Sequence, residues 1–293
     1  MATLSQWIAG ARPRTLPAAV SPVLVGTGAA YQTGNVVWGY ALLALVVSVS
    51  LQVGVNYAND YSDGIRGTDA VRVGPVRLVG QRLAHPSTVK FAAWACFFFA
   101  GLCGLALVAL SATWVLIPIG GLAIAAAWFY TGGSRPYGYL GLGEVFVFVF
   151  FGLVATLGTM ATMTPVTAAG WAGAVGVGAL ASAILVVNNL RDIPTDRGAG
   201  KRTLAVRMGD RGTRRFYVAL VSVAFVATGL ASFASPYALL AVLAAPLLLR
   251  PVQAVVGTAT GRDLIPALAG TGLFQLVWSA LLGLGLALGR PPA

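Results

Sequence analysis

The chain has little charge for its length. Only 9% of its 293 residues are Asp, Glu, Lys or Arg, whereas soluble domains average about 25%. Hydrophobic residues make up 58% of the chain, and the mean hydropathy is +0.83. This composition excludes an ordinary soluble domain and predicts an integral membrane protein.

Histidine and cysteine are also scarce, which limits the kinds of site the chain can build. His85 is the single histidine, so a metal site built on histidines is excluded. Cys96 and Cys103 are seven residues apart in one predicted helix. Such positions lie about 10 Å apart along the helix axis, too far for a disulfide. Oxygen ligands are therefore the ones to consider for any metal.

Long apolar stretches fill most of the chain. Stretches of this length predict membrane-spanning helices, and we expect nine: 15–33, 38–57, 88–109, 113–130, 142–163, 168–189, 213–233, 237–258 and 266–288. Pro17 and Pro22 interrupt the first one and no clear cleavage site follows, so we read a retained, kinked helix rather than a signal peptide. The predicted fold is all-α and polytopic, with one domain over 1–293.

Charge is distributed asymmetrically between the two sets of loops that nine spans create. All basic residues except Arg290 fall in one set, with the adjoining helix ends. The positive-inside rule makes that set cytoplasmic. All eight acids fall on the same side: Asp60, Asp63, Asp69, Glu144, Asp192, Asp196, Asp210 and Asp263. Since acids contribute little to orientation, the rule does not explain them.

Two segments on the predicted cytoplasmic side resemble each other. NYANDYSDGIRGTD (56–69) and NNLRDIPTDRGAGKR (188–202) each end an even-numbered span. Each begins Asn-x-x-x-Asp and runs into a loop rich in glycine and basic residues. This pairing predicts an internal duplication in which each half contributes one helix end and one loop.

Helical geometry places the polar residues of each segment on one stripe. With about 100° per residue, Asn188, Asp192 and Asp196 lie near 0°, 40° and 80°. By the same count, Asn56, Asp60 and Asp63 lie near 0°, 40° and −20°. Pro194 predicts a bend or break in the second helix, which affects Asp196 most.

Two facing stripes of carboxylates repel each other unless a cation lies between them. Oxygen ligands without histidine or thiolate suit Mg²⁺, which usually takes one or two carboxylates together with substrate phosphate oxygens. The basic residues that follow the acids can bind the remaining phosphate oxygens: Arg66, Arg72, Arg77, Lys201 and Arg202. The alternative is that the acids only pair with neighbouring arginines at the membrane surface.

The two acidic segments resemble those of the UbiA superfamily of intramembrane aromatic prenyltransferases. Within it, four stretches are similar to the branch that prenylates 1,4-dihydroxy-2-naphthoate in menaquinone synthesis: 56–69 with VGPVRLVG (73–80), YTGGSRPYGYLGLGE (130–144), 188–196 with KRTLAVRMGD (201–210), and ARPRTLPAAVSPVLVGTG (11–28). The similarity runs over nearly the whole chain. One departure is Gly64, where the superfamily motif carries an acid, so either Asp63 or Asp69 supplies the second ligand of the first motif.

The resemblance implies nine helices around a cytoplasm-facing cavity in a bacterial cell membrane. It implies Mg²⁺, a polyprenyl diphosphate, 1,4-dihydroxy-2-naphthoate and the lipid bilayer as partners, with no nucleic acid. It further implies that the prenylated ring loses carbon dioxide and gives demethylmenaquinone.

The resemblance also implies roles for individual residues. The expected metal ligands are Asn56, Asp60, Asp63, Asn188, Asp192 and Asp196. The expected diphosphate contacts are Arg66, Arg72, Arg77 and Lys201, with Asp69 nearby. Tyr130 and Arg135 are expected near the reacting centre, and Tyr139 and Glu144 on the naphthoate side.

Two alternatives remain open from the sequence. A sister enzyme acting on another aromatic acceptor, such as 4-hydroxybenzoate, would share the fold and the metal site. A membrane transporter or anion channel would also carry repeats and buried polar residues. Transporters place charge near the bilayer midplane, whereas here every acid lies at one side, which favours the enzyme.

Overall fold

In the computed structural model, residues 2–67 and 76–290 are described, and they form helices without a strand. The α-helices are α1 (Leu4–Gly10), α2 (Pro17–Gln32), α3 (Trp38–Ile65), α4 (Pro86–Ser111), α5 (Leu116–Phe129), α6 (Gly143–Val147), α7 (Ala155–Ala161), α8 (Ala168–Gly198), α9 (Leu204–Ser232), α10 (Leu249–Val256) and α11 (Ile265–Leu288). Short 3₁₀ turns lie at Pro13–Thr15, Tyr137–Leu140 and Gly261–Leu264. The predicted all-α class is confirmed.

The predicted spans coincide with helical segments of unequal length. Seven of these segments in the described chain are long and apolar enough to cross a membrane. The other two expected spans are shorter, since α2 has 16 residues and α5 has 14. At about 1.5 Å per residue these two reach roughly 24 and 21 Å, less than the hydrocarbon core. The chain is a multi-pass membrane protein.

Two of the long segments are not uniform α-helix. A π-helical stretch, Phe148–Val154, joins α6 to α7 in one rod from Gly143 to Ala161. A 3₁₀ stretch, Pro236–Leu248, leads into α10. The π-helical stretch packs closely on α8, because a Cβ added to Gly152 would lie 2.5 Å from the Cα of Gly178. Small residues permit such close approach of helices in a membrane.

Helix α8 is the central element of the bundle. It packs against α9, α11 and α2, and most of its apolar stretch is buried. A Cβ at Gly173 would lie 2.4 Å from Val25 of α2, and one at Gly176 would lie 2.4 Å from Trp278 of α11. The high glycine content of this helix therefore follows from the close packing on several sides.

The helices that carry the two acidic segments run further than predicted. Helix α3 continues from the expected end at 57 to Ile65, and α8 continues from 189 to Gly198. Of the bend or break predicted at Pro194, a break is wrong, since α8 passes through that residue without ending. The two cysteines are free, as predicted. His85 caps the start of α4 by accepting from the backbone N–H of Ser87.

Candidate active site

One large cavity lies inside the bundle, with a volume of about 590 Å³. This size is in the range of small-molecule sites. Most of its wall is apolar and comes from α2 to α8. Charged and amide side chains meet at one end, which we call the polar end: Arg12, Gln52, Asn56, Asn59, Asp63, Arg77, Asn188, Asn189, Asp196 and Lys201.

Helix α3 contributes one polar face to this end. Gln52, Asn56, Asn59 and Asp63 recur at intervals of four, three and four residues, which places them on one side of a helix. Asn56 donates to the carbonyl of Ala11 at 2.8 Å. The Oδ1 of Asn59 accepts from the Thr131 hydroxyl at 2.8 Å. Asn59 was not among the predicted site residues, although the same spacing would have revealed it.

Asp60 points away from this face. One carboxylate oxygen accepts from the backbone N–H of Leu78 at 2.7 Å, and the other accepts from that of Val79 at 3.0 Å. The side chain is buried and is not among the residues that line the cavity. Asp60 was predicted as a metal ligand, and the structure instead places it where it holds the turn after Arg77.

Asp63 occupies the centre of the polar end. Its Oδ1 accepts from the Tyr139 hydroxyl at 2.5 Å and lies 3.3 Å from the Lys201 ammonium. The same ammonium lies 4.3 Å from the centroid of the Tyr139 ring. Arg66, just beyond the end of α3, donates instead to the backbone carbonyls of Thr131 and Gly133. It is exposed and does not line the cavity.

Helix α8 supplies the second acidic segment. Asn188 and Asp196 line the cavity. Asp192 does not, because the buried guanidinium of Arg191 binds both of its carboxylate oxygens at 2.7 Å. Arg191 also donates to the Oδ1 of Asn188 at 2.8 Å. The backbone N–H of Lys201 donates to the carbonyl of Asp196 at 2.9 Å.

The structure brings together the ends of the two predicted segments. Asp63 from the first meets Lys201 from the second, and both side chains are 4% exposed. The two middle acids, Asp60 and Asp192, lie behind this contact with backbone N–H groups or a neighbouring arginine as partners. Among the described residues, the cavity therefore receives one carboxylate from each segment, and Asp60 and Asp192 support the wall.

Two arginines complete the charge at the polar end. Arg77 was predicted, lines the cavity and is 6% exposed. Arg12 was assigned only to topology, yet it lines the same cavity. It has a left-handed backbone with φ of 54°, an uncommon conformation for a residue other than glycine. Asp69 and Arg72, also predicted, lie outside the described residues.

An aromatic wall adjoins the polar end. Tyr130, Tyr137 and Phe146 line the cavity, and the rings of Tyr137 and Phe146 stack at 4.0 Å. The Tyr137 hydroxyl donates to the carbonyl of Ala126 at 2.8 Å. Burial raises the pKa of Tyr137, because the charged form loses solvation. This phenol therefore stays neutral and serves as a flat apolar surface.

Two other predicted residues do not reach the cavity. Arg135 is exposed on the loop before the 3₁₀ turn at Tyr137–Leu140. Glu144 is buried behind the wall and accepts from the Nδ2 of Asn189 at 2.8 Å. Asn189, which the sequence analysis missed, lines the cavity in its place.

The polar end fits a magnesium ion shared with a substrate phosphate better than a site made by protein alone. No group of three or more His, Cys, Asp or Glu residues in the described chain is placed to hold a metal. Asp63 and Asp196 are the two carboxylates that line the cavity in residues 2–67 and 76–290, and asparagine amides line it as well. Mg²⁺ usually binds one or two carboxylates together with phosphate oxygens.

Comparisons with known sequences identify the family of this chain. A model of the UbiA prenyltransferase family matches residues 19–263. A 1,4-dihydroxy-2-naphthoate octaprenyltransferase of Mycobacterium tuberculosis is 55% identical, with 99% of each chain covered. The Escherichia coli protein of the same name is 37% identical, with 97% of this chain and 96% of the relative covered.

Comparison with solved structures supports the fold. A UbiA homolog from Archaeoglobus fulgidus, bound to GPP and Mg²⁺, superposes with a TM-score of 0.65 at 12% identity. The match covers 94% of this chain and 99% of that one. At this identity the likeness concerns the fold alone.

Proposed function

We infer the function from one premise, that this chain belongs to the UbiA prenyltransferase family. It transfers a polyprenyl group from a polyprenyl diphosphate to 1,4-dihydroxy-2-naphthoate, with loss of the carboxylate as carbon dioxide. The product is the quinol form of demethylmenaquinone. The chain is a prenyltransferase of menaquinone biosynthesis.

One observation carries the proposal. A single cavity joins a charged end, centred on Asp63 and Lys201, to a long apolar wall. A diphosphate ester of a polyprenol has the same division between a charged head and an apolar chain. The cavity lies within a bundle of membrane helices, where a polyprenyl chain partitions.

The residues at the polar end have separate tasks in this proposal. Arg12, Arg77 and Lys201 bind the diphosphate, with Arg72 as a further contact from outside the described residues. Asp63 and Asp196 would hold Mg²⁺ together with the amide oxygens of the neighbouring asparagines: Asn56, Asn59 and Asn188. When bound, Mg²⁺ neutralises the diphosphate and improves it as a leaving group. Asp60 and Asp192 support this arrangement through the turn at 78–79 and through Arg191.

The transfer itself needs few protein groups. The C–O bond of the allylic diphosphate breaks and its electron pair leaves with the diphosphate, which the cations of the polar end stabilise. The electron-rich ring forms the new C–C bond at C2. The carboxylate then leaves as carbon dioxide, and its electron pair restores the aromatic ring. The apolar and aromatic wall keeps water from the allylic cation.

The same proposal includes the orientation in the membrane. The basic residues lie on the side where the polar end opens, so we place that side in the cytoplasm of a bacterial cell. Helices α2 and α5 join the seven longer segments as spans, which gives nine. The duplication that relates the ends of α3 and α8 remains part of the proposal.

The direct test is turnover by the purified protein in detergent. The assay uses 1,4-dihydroxy-2-naphthoate and a polyprenyl diphosphate, with EDTA or with added Mg²⁺. We expect diphosphate, carbon dioxide and a prenylated quinol only when Mg²⁺ is present. Product with 4-hydroxybenzoate but not with the naphthoate would change the acceptor and keep the metal site. No product with either acceptor in folded protein would favour the transporter alternative.

A further inference from the structure

A buried carboxylate lies directly behind the cavity wall. Glu144, in the first turn of the rod that begins at Gly143, is 4% exposed. Its Oε1 accepts from the Nδ2 of Asn189, and its Oε2 is enclosed without a hydrogen-bond partner in the described part of the chain. Burying a carboxylate with half of its acceptors unused is costly. The burial of Glu144 against Asn189 therefore indicates a role other than stability.

The hydrogen bond to Glu144 decides which way the Asn189 amide faces. A carboxyl oxygen without a proton only accepts hydrogen bonds, so the amide turns its NH₂ group towards the Oε1 of Glu144. The Oδ1 of Asn189 bonds to no described residue and is not among the enclosed polar atoms. Since Asn189 lines the cavity and Glu144 does not, the carbonyl oxygen is the atom presented to the cavity.

The surroundings of this oxygen suit a flat aromatic ring. Gly143, next to Glu144, packs against Tyr130 and Leu185, because a Cβ added there would lie 3.3 Å from each side chain. Both side chains line the cavity, together with the stacked rings of Tyr137 and Phe146. An exposed carbonyl oxygen beside an aromatic wall can only accept from a ligand that carries a donor.

The two substrates of the proposed reaction differ in whether they carry a hydrogen-bond donor. A polyprenyl diphosphate has an apolar chain and acceptor oxygens, whereas the dihydroxynaphthoate carries two hydroxyl groups. The 1-hydroxyl stands next to the carboxylate and satisfies itself by an internal hydrogen bond. The 4-hydroxyl is left as the free donor.

We propose that Glu144 is a positioning residue for the aromatic acceptor. It fixes the Asn189 amide so that Oδ1 accepts a hydrogen bond from the 4-hydroxyl of the naphthoate. The inference rests on the proposed function and adds the residues that orient its acceptor. The competing role for the same oxygen is to bind Mg²⁺, and the experiment separates the two.

The experiment measures KM for each substrate separately in folded variants. Glu144→Leu removes the acceptor of the Nδ2 group, so the amide can rotate. We expect KM for 1,4-dihydroxy-2-naphthoate to rise roughly fivefold, the value of one ordinary hydrogen bond, while KM for geranyl diphosphate and the Mg²⁺ requirement stay the same. Glu144→Gln keeps an acceptor oxygen at the same place and should restore the wild-type KM.

A matched control tests for simple disturbance of the contact between α6 and α8. Ser182 donates to the backbone carbonyl of Glu144 at 3.1 Å and does not touch the amide, so Ser182→Ala should leave both KM values unchanged. If Glu144→Leu does not fold, the double variant Glu144→Leu/Asn189→Leu replaces both partners by apolar groups. Such a replacement is tolerated better than a single one, and the same rise in acceptor KM is expected.

A competitor that lacks the 4-hydroxyl gives the decisive comparison. In the wild type, 1-hydroxy-2-naphthoate should bind roughly fivefold more weakly than the dihydroxy compound. In Glu144→Leu this ratio should fall to about one. An unchanged ratio, or a variant that alters the Mg²⁺ requirement and not the acceptor KM, would overturn the inference. Wild-type protein that shows no turnover would instead count against the proposed function.

Discussion

The ammonium group of Lys201 lies 3.3 Å from the carboxylate of Asp63, with both side chains almost fully buried. This ion pair connects the loop after α8 to the end of α3, which are 138 residues apart in sequence. In the proposed function, the diphosphate meets the ammonium and the carboxylate together. The pair is therefore the point at which the two acidic segments act as one site.

The first prediction concerns this pair. Asp63→Asn should lower kcat by a factor on the order of 10² to 10³, because the charge that holds Lys201 and contributes to the metal site is lost. Lys201→Met should raise KM for the polyprenyl diphosphate. The control is Asp263→Asn, since Asp263 is exposed and does not line the cavity. Equal effects at Asp63 and Asp263 would contradict the assignment of the site.

The second prediction separates Asp60 from Asp63. Asp60→Ala leaves the buried N–H groups of Leu78 and Val79 without their acceptor, which costs about 1 to 3 kcal/mol for each group. We expect a lower midpoint of thermal unfolding in detergent together with reduced activity. Asp63→Asn, which leaves those two bonds intact, should lose activity with a smaller thermal shift. If Asp60→Ala unfolded at the wild-type temperature, a structural role for this residue would be untenable.

The third prediction concerns the length of the prenyl chain. Gly121 of α5 lines the cavity, and a Cβ added there meets no atom within 4 Å. Gly121→Phe should therefore place a ring in the open space without disturbing the packing. We expect turnover of geranyl diphosphate to persist and turnover of long polyprenyl diphosphates to fall.

The control for this prediction is a second glycine with open space around it. Gly39, in the first turn of α3, also has no atom within 4 Å of an added Cβ, and it does not line the cavity. Gly39→Phe should leave the preference among prenyl diphosphates unchanged. The same preference in both variants and the wild type would show that the chain does not pass Gly121.

The fourth prediction concerns the packing of α2 on α11. A Cβ added to Gly28 would lie 2.3 Å from the carbonyl oxygen of Gly283. Gly28→Ala should destabilise the fold by about 1 to 3 kcal/mol, because the two backbones must separate. Gly229→Ala in α9 meets open space and should be neutral or slightly stabilising. Unfolding temperatures of the two variants in one detergent would test this contrast.

Much of the fold follows from composition and periodicity. Runs of about 20 apolar residues with few charges form helices in a membrane, because a helix bonds every backbone group within its own segment. The positive-inside rule adds the side on which charge collects, and the apolar pattern locates the helical segments. It did not give the π-helical stretch at Phe148–Val154 or the 3₁₀ stretch at Pro236–Leu248, because both depend on contacts with neighbouring helices.

The sequence by itself determined which chemical groups the site contains. Two Asn-x-x-x-Asp segments followed by cations predicted oxygen ligands beside phosphate-binding residues, and spacing along a helix placed them on stripes. The tertiary structure decided which members of each stripe face the cavity. Asp60 and Asp63 differ by one helical turn, yet the turn at 78–79 covers the first and leaves the second open. Arg191 likewise binds Asp192 and leaves Asp196 on the wall. Helical periodicity fixes the direction of a side chain relative to its own helix, whereas its partners come from segments distant in the sequence.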